Sequence, residues 1–213
     1  MTLTGYCCGL RNYGLTAGIG TYPNRFTFST ERQSDMASNK PFVYIIESPK
    51  PEDLLDGRFE GRVLAEALNL AGIRYSYSLV IDRDVFAHCM GPRLLYEILQ
   101  LRSLPILHLS MHGDLNGIAL TNGEYIEWSE LAELIRPLAS VLQGRLIISL
   151  SACYSAAGCR MAMTNSSDLP FGLLVGSLSQ VAWADAAVAY VAFYHRLFKC
   201  ASVHEAVEAM KSA

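Results

Sequence analysis

Short apolar runs recur along this chain, and stretches with helical spacing separate them. Five segments predict strands: Phe42–Ile46, Tyr75–Ile81, Leu104–Ser110, Arg145–Leu150 and Phe171–Val175. A strand that is apolar at nearly every position is covered on both faces, which is typical of parallel sheets. The alternation of such strands with helices predicts an α/β fold, with a mostly parallel central sheet and helices on both faces.

The segments between the strands carry helix and turn signals. Residues 57–71 place apolar side chains at helical spacing, and Gly72 ends that pattern. Thr121-Asn122-Gly123-Glu124 predicts a hairpin between two short strands at 118–120 and 125–127. Further helices are expected from Asp82 or Asp84 to Arg102 with an interruption at Gly91-Pro92, from Ser129 to Leu142, and at about 183–198 and 202–212.

The chain divides into an arm and one domain. Residues 1–40 are rich in Gly, Thr, Asn and Ser without a sustained period, so they are expected to form an N-terminal arm that is only partly ordered. Residues 41–213 carry the sheet pattern and form one domain. Because hydrophobic residues make up 51% of the chain and charged residues 17%, the domain has a large core and the chain is not a disordered protein.

Charge and cysteine usage exclude several classes of function. The net charge is −3 with no cluster of Lys or Arg, which argues against nucleic-acid binding. Six cysteines show no zinc spacing, so no metal is expected and the thiols indicate a reduced, cytoplasmic chain. Residues 169–194 are nearly uncharged, but Gln180 and Asp185 favour a buried strand and helix over a membrane span.

Reactive side chains follow two consecutive core strands. His112-Gly113 comes after the third strand and Ala152-Cys153 after the fourth. Since the carboxyl ends of parallel strands meet at one edge of the sheet, the two pairs are expected to lie together. A thiolate nucleophile, an imidazole that moves protons and backbone N–H groups for an oxyanion are the minimum for cysteine catalysis.

Each of these residues alone has an ordinary structural explanation. A cysteine at a strand end is usually a small core residue, and a histidine in a loop is usually solvated. Their occurrence at the ends of consecutive strands favours the catalytic interpretation. Asp114 is a candidate to orient His112, although a solvated loop residue is the commoner role for such an aspartate.

The two motifs resemble those of a known family. Ile106–Gly113 is similar to the strand and His-Gly motif of caspase-like cysteine peptidases, and Leu146–Cys153 is similar to their strand and Ala-Cys motif. The separation of 41 positions from His112 to Cys153 is near the caspase spacing of about 50. Leu150-Ser151-Ala152-Cys153-Tyr154-Ser155 is closest to the bacterial CHAT branch, which is related to caspases and separases.

The resemblance covers about residues 42–211 and implies a caspase-like three-layer αβα sandwich. It implies that Cys153 is the nucleophile, that His112 is the catalytic histidine, and that the Gly113 and Cys153 amides form the oxyanion hole. Asp185 is at the position of a recurrent CHAT acidic residue, which implies contact with a basic P1 side chain, as an acidic residue makes in separase. The alternative is that Asp185 satisfies a helix N-terminus. Ser151 and Trp183 are further substrate-binding candidates, with core filling as the alternative for Trp183.

The resemblance implies a cysteine endopeptidase that cleaves a protein or peptide without any cofactor, in a regulated, defence-like bacterial response. Relatives carry another strand after the last helix, so an open sheet edge is expected to pair with the arm, an activating partner or a second copy. The alternative is a catalytically silent binding or regulatory module with the same fold. A flavodoxin-like nucleotide-binding sheet fits less well, because no phosphate-binding loop follows the first strand.

Overall fold

A computed structural model describes residues 40–142, 145–163 and 170–213 of the protein. The predicted arm, with Cys7 and Cys8, lies outside the described residues except for Lys40, and so does Gly144, the expected end of a helix. No described helix has the length and apolar character needed to cross a membrane.

In the part of the chain that the structure describes, the centre of the domain is a sheet of seven strands. Five of them run parallel in the spatial order β2-β1-β3-β6-β7, and a β4-β5 hairpin pairs antiparallel with the end of β3. Among the described residues, β2 and β7 each pair on one side only. The strands are β1 (Phe42–Ser48), β2 (Tyr75–Leu79), β3 (Pro105–Gly113), β4 (Gly117–Ala119), β5 (Tyr125–Glu127), β6 (Ile147–Ser151) and β7 (Leu173–Gly176).

Helices cover both faces of this sheet, as the sequence pattern predicts. The helices are α1 (Pro51–Leu55), α2 (Glu60–Leu70), α3 (Arg83–His88), α4 (Leu94–Leu101), α5 (Trp128–Leu142), α6 (Trp183–Phe198) and α7 (Val203–Ser212). A π-helical segment (Cys89–Arg93) joins α3 to α4, and a 3₁₀ segment (Ser155–Met163) follows β6. The fold is therefore mixed α/β.

Alternation along β1 shows how the two cores form. Phe42, Tyr44 and Ile46 pack into a first core with α3, α4 and α5, whereas Val43 and Ile45 pack into a second core with α2, α6 and α7. All five side chains are fully buried, because successive strand residues point to opposite faces and both faces are covered by helices.

Helix boundaries follow the local signals. The Asp82 side chain accepts the Val85 N–H at the start of α3, and Ser202 forms a capping box with Glu205 at the start of α7. Pro92 lies in the π-helical segment, since it cannot donate the hydrogen bond that a regular α-helix requires. The interruption predicted at Gly91-Pro92 is confirmed.

Four features differ from the sequence-based expectation. Strand β3 continues through His112 and Gly113, which were predicted to be a loop, because β4 pairs with both residues. Helix α1 and the 3₁₀ segment are additional, since neither is long enough to show a helical period. Val63, predicted on the apolar face of the first long helix, is 55% exposed, and the small Gly61 packs against β1 instead.

Candidate active site

The register of the sheet brings three chain segments together at the carboxyl ends of β1, β3 and β6. Ser110 on β3 pairs with Ser151 on β6, so His112 and Cys153 each follow the paired residue by two positions. On the other side of β3, Ser48 at the end of β1 pairs with Met111. The chain leaving β1 therefore enters α1 beside His112.

Gly113 lies against the segment that carries the cysteine. A Cβ added to Gly113 would lie 3.1 Å from the Ala152 Cβ, 3.4 Å from the Cys153 carbonyl oxygen and 3.0 Å from the Gly117 carbonyl oxygen. Only a glycine leaves this space open, which explains why the His-Gly pair meets the Ala-Cys pair so closely.

His112 is half-buried between an aspartate and a tryptophan. Its Nε2 lies 3.1 Å from Oδ2 of Asp53, and its ring lies 4.9 Å from the Trp183 ring at an interplanar angle of 82°. An ionised carboxylate only accepts hydrogen bonds, so Nε2 carries the hydrogen and Nδ1 keeps its lone pair. Within the described residues, Nδ1 has no hydrogen-bond partner and is open to receive a proton.

Burial lowers the pKa of His112, because the charged imidazolium loses solvation, and the Lys50 ammonium lowers it further. The hydrogen bond to Asp53, together with the negative charges of Asp53 and Glu52, acts in the opposite direction but does not cancel the effect of burial. The imidazole is therefore neutral at neutral pH, which is the form that can accept a proton from a thiol.

Asp53 is held from two sides. Its Oδ1 lies 3.1 Å from Nε of Arg58, while its Oδ2 faces His112. Burial raises the pKa of Asp53, but hydrogen bonds from His112 and Trp183 and the positive charge of Arg58 outweigh it, so the pKa lies below its usual value. Asp53 is therefore a carboxylate fixed toward the imidazole.

The segment after Cys153 turns sharply. Tyr154 has a φ of 54°, in the left-handed region, and its N–H donates to the Ser179 carbonyl at 3.0 Å. The Ser155 hydroxyl donates to the Leu150 carbonyl at 2.7 Å and accepts the Ser177 N–H at 3.0 Å. These contacts fasten the cysteine-bearing turn to the β7-α6 connection, and they hold Cys153 at the end of β6.

Cys153 itself is half-buried at the sheet edge. Its Sγ lies 3.7 Å from the Val181 carbonyl oxygen, a distance at which the thiol is a weak donor. Within the described residues, the Cys153 N–H donates no hydrogen bond. This amide is therefore available to an oxygen placed near the sulfur.

The substrate-binding candidates occupy different environments. Ser151 is 1% exposed, and its Oγ has no hydrogen-bond partner in the described part of the chain. Trp183 is half-buried and packs on His112. Asp185 is exposed in the first turn of α6. It does not line the small cavity that lies between the ends of β6 and β7 and the helices α6 and α7.

Asp114 does not contact His112. Its Oδ1 accepts the N–H groups of Asn116 and Gly117 and the hydroxyl of Tyr125, and these bonds lower its pKa. Asp114 therefore fixes the turn before β4, and the aspartate that contacts His112 is Asp53.

The sequence analysis missed Asp53. It lies in α1, whose five residues are too few for a periodic signal. The parallel order gives the only indication, since the segment after the first strand must approach the end of the third strand when those strands are neighbours. An acidic residue in that segment is then a candidate partner for the histidine.

No protein-family model matches this chain, and no curated protein matches it significantly. Within residues 40–142, 145–163 and 170–213, no three His, Cys, Asp or Glu side chains come together as metal ligands would.

Proposed function

We propose that this protein is a caspase-like cysteine endopeptidase in which Cys153 attacks the scissile carbonyl and His112 transfers the protons. The observation that carries the proposal is the β3-β6 register: Ser110 pairs with Ser151, and His112 and Cys153 each lie two positions beyond this pair. The five parallel strands, with helices on both faces, are compatible with the three-layer arrangement that the sequence motifs imply.

In the acylation step, Nδ1 of His112 takes the proton from the Cys153 thiol, and a bond forms between Sγ and the substrate carbonyl carbon. The carbonyl electron pair moves onto its oxygen, where the Cys153 and Gly113 N–H groups stabilise the charge. When the carbonyl forms again, the C–N bond breaks and the amine leaves with the proton from Nδ1.

In the deacylation step, water gives a proton to Nδ1 and adds to the thioester carbon. The C–S bond then breaks, the carboxylic acid product leaves, and the proton returns to the sulfur. Asp53 acts through His112 in both steps, because its fixed carboxylate holds the hydrogen on Nε2 and stabilises the imidazolium that forms transiently.

A binding module with the same fold is the second candidate. The 3.7 Å contact between Sγ of Cys153 and the Val181 carbonyl favours it, since a thiol that donates to a backbone carbonyl is not donating to the imidazole. In that case a protein segment would bind at the sheet edge without being cleaved.

The test is labelling with a peptidyl acyloxymethyl ketone, followed by mass spectrometry of each cysteine. Cys200 is exposed and Cys159 is half-buried, so both serve as internal references for ordinary thiols. We expect Cys153 to react at least about tenfold faster than Cys200 at pH 7 because it is activated. His112→Ala should abolish that advantage while the Cys200 rate stays constant.

Equal rates at Cys153 and Cys200, or a Cys153 rate unaffected by His112→Ala, would contradict the endopeptidase proposal. Binding of a protein segment by Cys153→Ala, with no turnover of that segment by the wild type, would then support the binding module.

A further inference from the structure

A small cavity lies directly beside the cysteine-bearing turn. The ends of β6 and β7 form one wall, and α6 and α7 form the other. Its volume of about 20 Å³ is little more than one water molecule needs. The side chains and backbone that matter here belong to Ser151, Ala152, Gly176, Val181, Val207 and Met210.

Two of these residues connect the cavity to the nucleophile. Ala152 precedes Cys153 in the chain, and the Val181 carbonyl oxygen lies 3.7 Å from the cysteine Sγ. Because Ala152 and Val181 both line the cavity, the cavity lies next to the sulfur that would bond the substrate carbonyl carbon.

Ser151 supplies an unpaired polar group to the cavity. It lines the cavity, it is 1% exposed, and its Oγ has no partner within the described residues. It shares a strand face with Ile147, which packs in the second core against α6 and α7, so its hydroxyl points into the space between β6 and these helices. Three other buried serine hydroxyls of the described residues also lack a partner, and Ser151 is the one of these four that lines the cavity.

The charges of the residues that line the cavity argue against binding of an ionised substrate side chain. Within the described residues, no carboxylate lines the cavity. The Lys211 ammonium lies 2.8 Å from the Glu208 carboxylate, so it already has a counter-ion. A basic or acidic side chain inserted here would lose its hydration without a dedicated opposite charge, which is strongly unfavourable.

We propose that this cavity receives the substrate side chain on the N-terminal side of the scissile bond (P1), and that this side chain is small and uncharged, either Ala or Ser. This inference rests on the endopeptidase function proposed above. A methyl or hydroxymethyl group fits the available room, and a substrate serine hydroxyl pairs with the Ser151 Oγ.

The experiment compares peptidyl acyloxymethyl ketones that are identical except for the P1 residue: Ala, Ser, Val, Leu, Asp or Arg. The rate of Cys153 alkylation by each compound is followed by mass spectrometry. We expect Ala and Ser to react at least about tenfold faster than Leu, Asp and Arg, the discrimination typical of a well-fitting pocket. Because the electrophile reports directly on the cysteine, the natural substrate is not needed.

Two variants identify the cavity as the source of the preference. Met210→Ala enlarges it and should raise the Leu-to-Ala rate ratio about tenfold or more. Ser151→Ala should lower the Ser-to-Ala rate ratio, since a substrate serine hydroxyl would lose its partner. Met163→Ala is the matched control, because Met163 is 72% exposed and lies outside the cavity lining.

The outcomes separate the two proposals. If Cys153 reacts with His112 dependence but prefers Arg, the cavity inference is overturned and Asp185 becomes the specificity residue. A preference for Asp or Leu, or equal rates for all six compounds, also overturns it while the endopeptidase proposal survives. If Cys153 reacts with none of them, both proposals fail.

Discussion

Nε2 of His112 and Oδ2 of Asp53 lie 3.1 Å apart although 59 residues separate them in the chain. The parallel neighbours β1 and β3 bring them together, because α1 follows β1 directly and approaches the end of β3. The pair makes Asp53 a positioning residue for the imidazole, and this role can be separated from simple structural support.

The first prediction concerns Asp53→Asn. A hydrogen bond to a charged group contributes about 1.5–3 kcal/mol, so the alkylation rate of Cys153 should fall roughly 10- to 100-fold. Because the charge of Asp53 raises the pKa of His112, the substitution should lower that pKa further and shift the acid limb of the pH-rate profile to lower pH. The measurement is the alkylation rate between pH 5 and pH 9.

Asp114→Asn is the matched control. Asp114 is also an aspartate close to His112 in sequence, but it bonds to Asn116, Gly117 and Tyr125. Asp114→Asn should therefore leave the acid limb of the pH-rate profile unchanged. An equal shift in both variants would show that any loss of negative charge near the hairpin produces the effect, and Asp53 would lose its special role.

The second prediction concerns stability and pH. The pKa of His112 is lowered by burial, so between the unfolded value of 6.5 and the lower folded value the unfolded chain binds more protons. The stability that the neutral imidazole provides is therefore complete above pH 6.5 and is lost as the pH falls through the folded pKa. Asp53 acts in the same direction below its unfolded value of 3.8.

Urea unfolding of the wild type and His112→Gln between pH 8 and pH 5 measures this effect. The difference in the free energy of unfolding should shift in favour of the variant as the pH falls, since glutamine does not titrate. Glu47 has a raised pKa and the opposite sign, but it is present in both proteins and cancels in the difference. A difference that stays constant over this range would refute the prediction.

The third prediction concerns Gly113→Ala. The new Cβ would lie 3.1 Å from the Ala152 Cβ and 3.0 Å from the Gly117 carbonyl oxygen, so these neighbours have to give way by a few tenths of an ångström. Overpacking of this kind costs about 1–3 kcal/mol of stability, and the displaced Cys153 turn should lose most of its reactivity. Urea unfolding and the alkylation rate are the two measurements.

Gly91→Ala provides the comparison for that variant. Nothing lies within 4 Å of a Cβ at Gly91, and its φ is not in the left-handed region. Alanine there contacts no neighbouring segment, so stability and alkylation should stay close to those of the wild type. If Gly113→Ala behaved in the same way, the close approach of the two motifs would have no functional weight.

The sequence was sufficient for features that repeat or end a pattern. Apolar runs at Phe42–Ile46 and Arg145–Leu150 predicted β1 and β6 to within a few residues, because both faces of these strands are buried. The candidate pair His112 and Cys153 followed from the ends of such runs. These predictions needed only periodicity and the rule that parallel strands share one carboxyl edge.

Features set by contacts between distant segments were not predictable in this way. Asp53 lies in a five-residue helix without a period, and its partner is known only once β1 and β3 are neighbours. The extension of β3 to Gly113 depends on pairing with Ile118, which strand propensity at a glycine does not reveal. The cavity beside Ser151 depends on the packing of α6 and α7, which no single segment encodes.

The fourth prediction concerns Tyr154, which holds a φ of 54° directly after Cys153. A left-handed conformation costs a non-glycine residue about 1–2 kcal/mol, and a β-branched side chain fits it worst. Tyr154→Ile should therefore lower the free energy of unfolding by about 1–2 kcal/mol and slow the alkylation of Cys153. Tyr154→Gly should be nearly neutral, because the relief of strain offsets the extra freedom of the unfolded chain.

Tyr96→Ile is the control, because Tyr96 is at an exposed helical position, and it should change the stability and the alkylation rate little. If Tyr154→Ile were as stable and reactive as the wild type, the turn would not hold the cysteine through its backbone conformation.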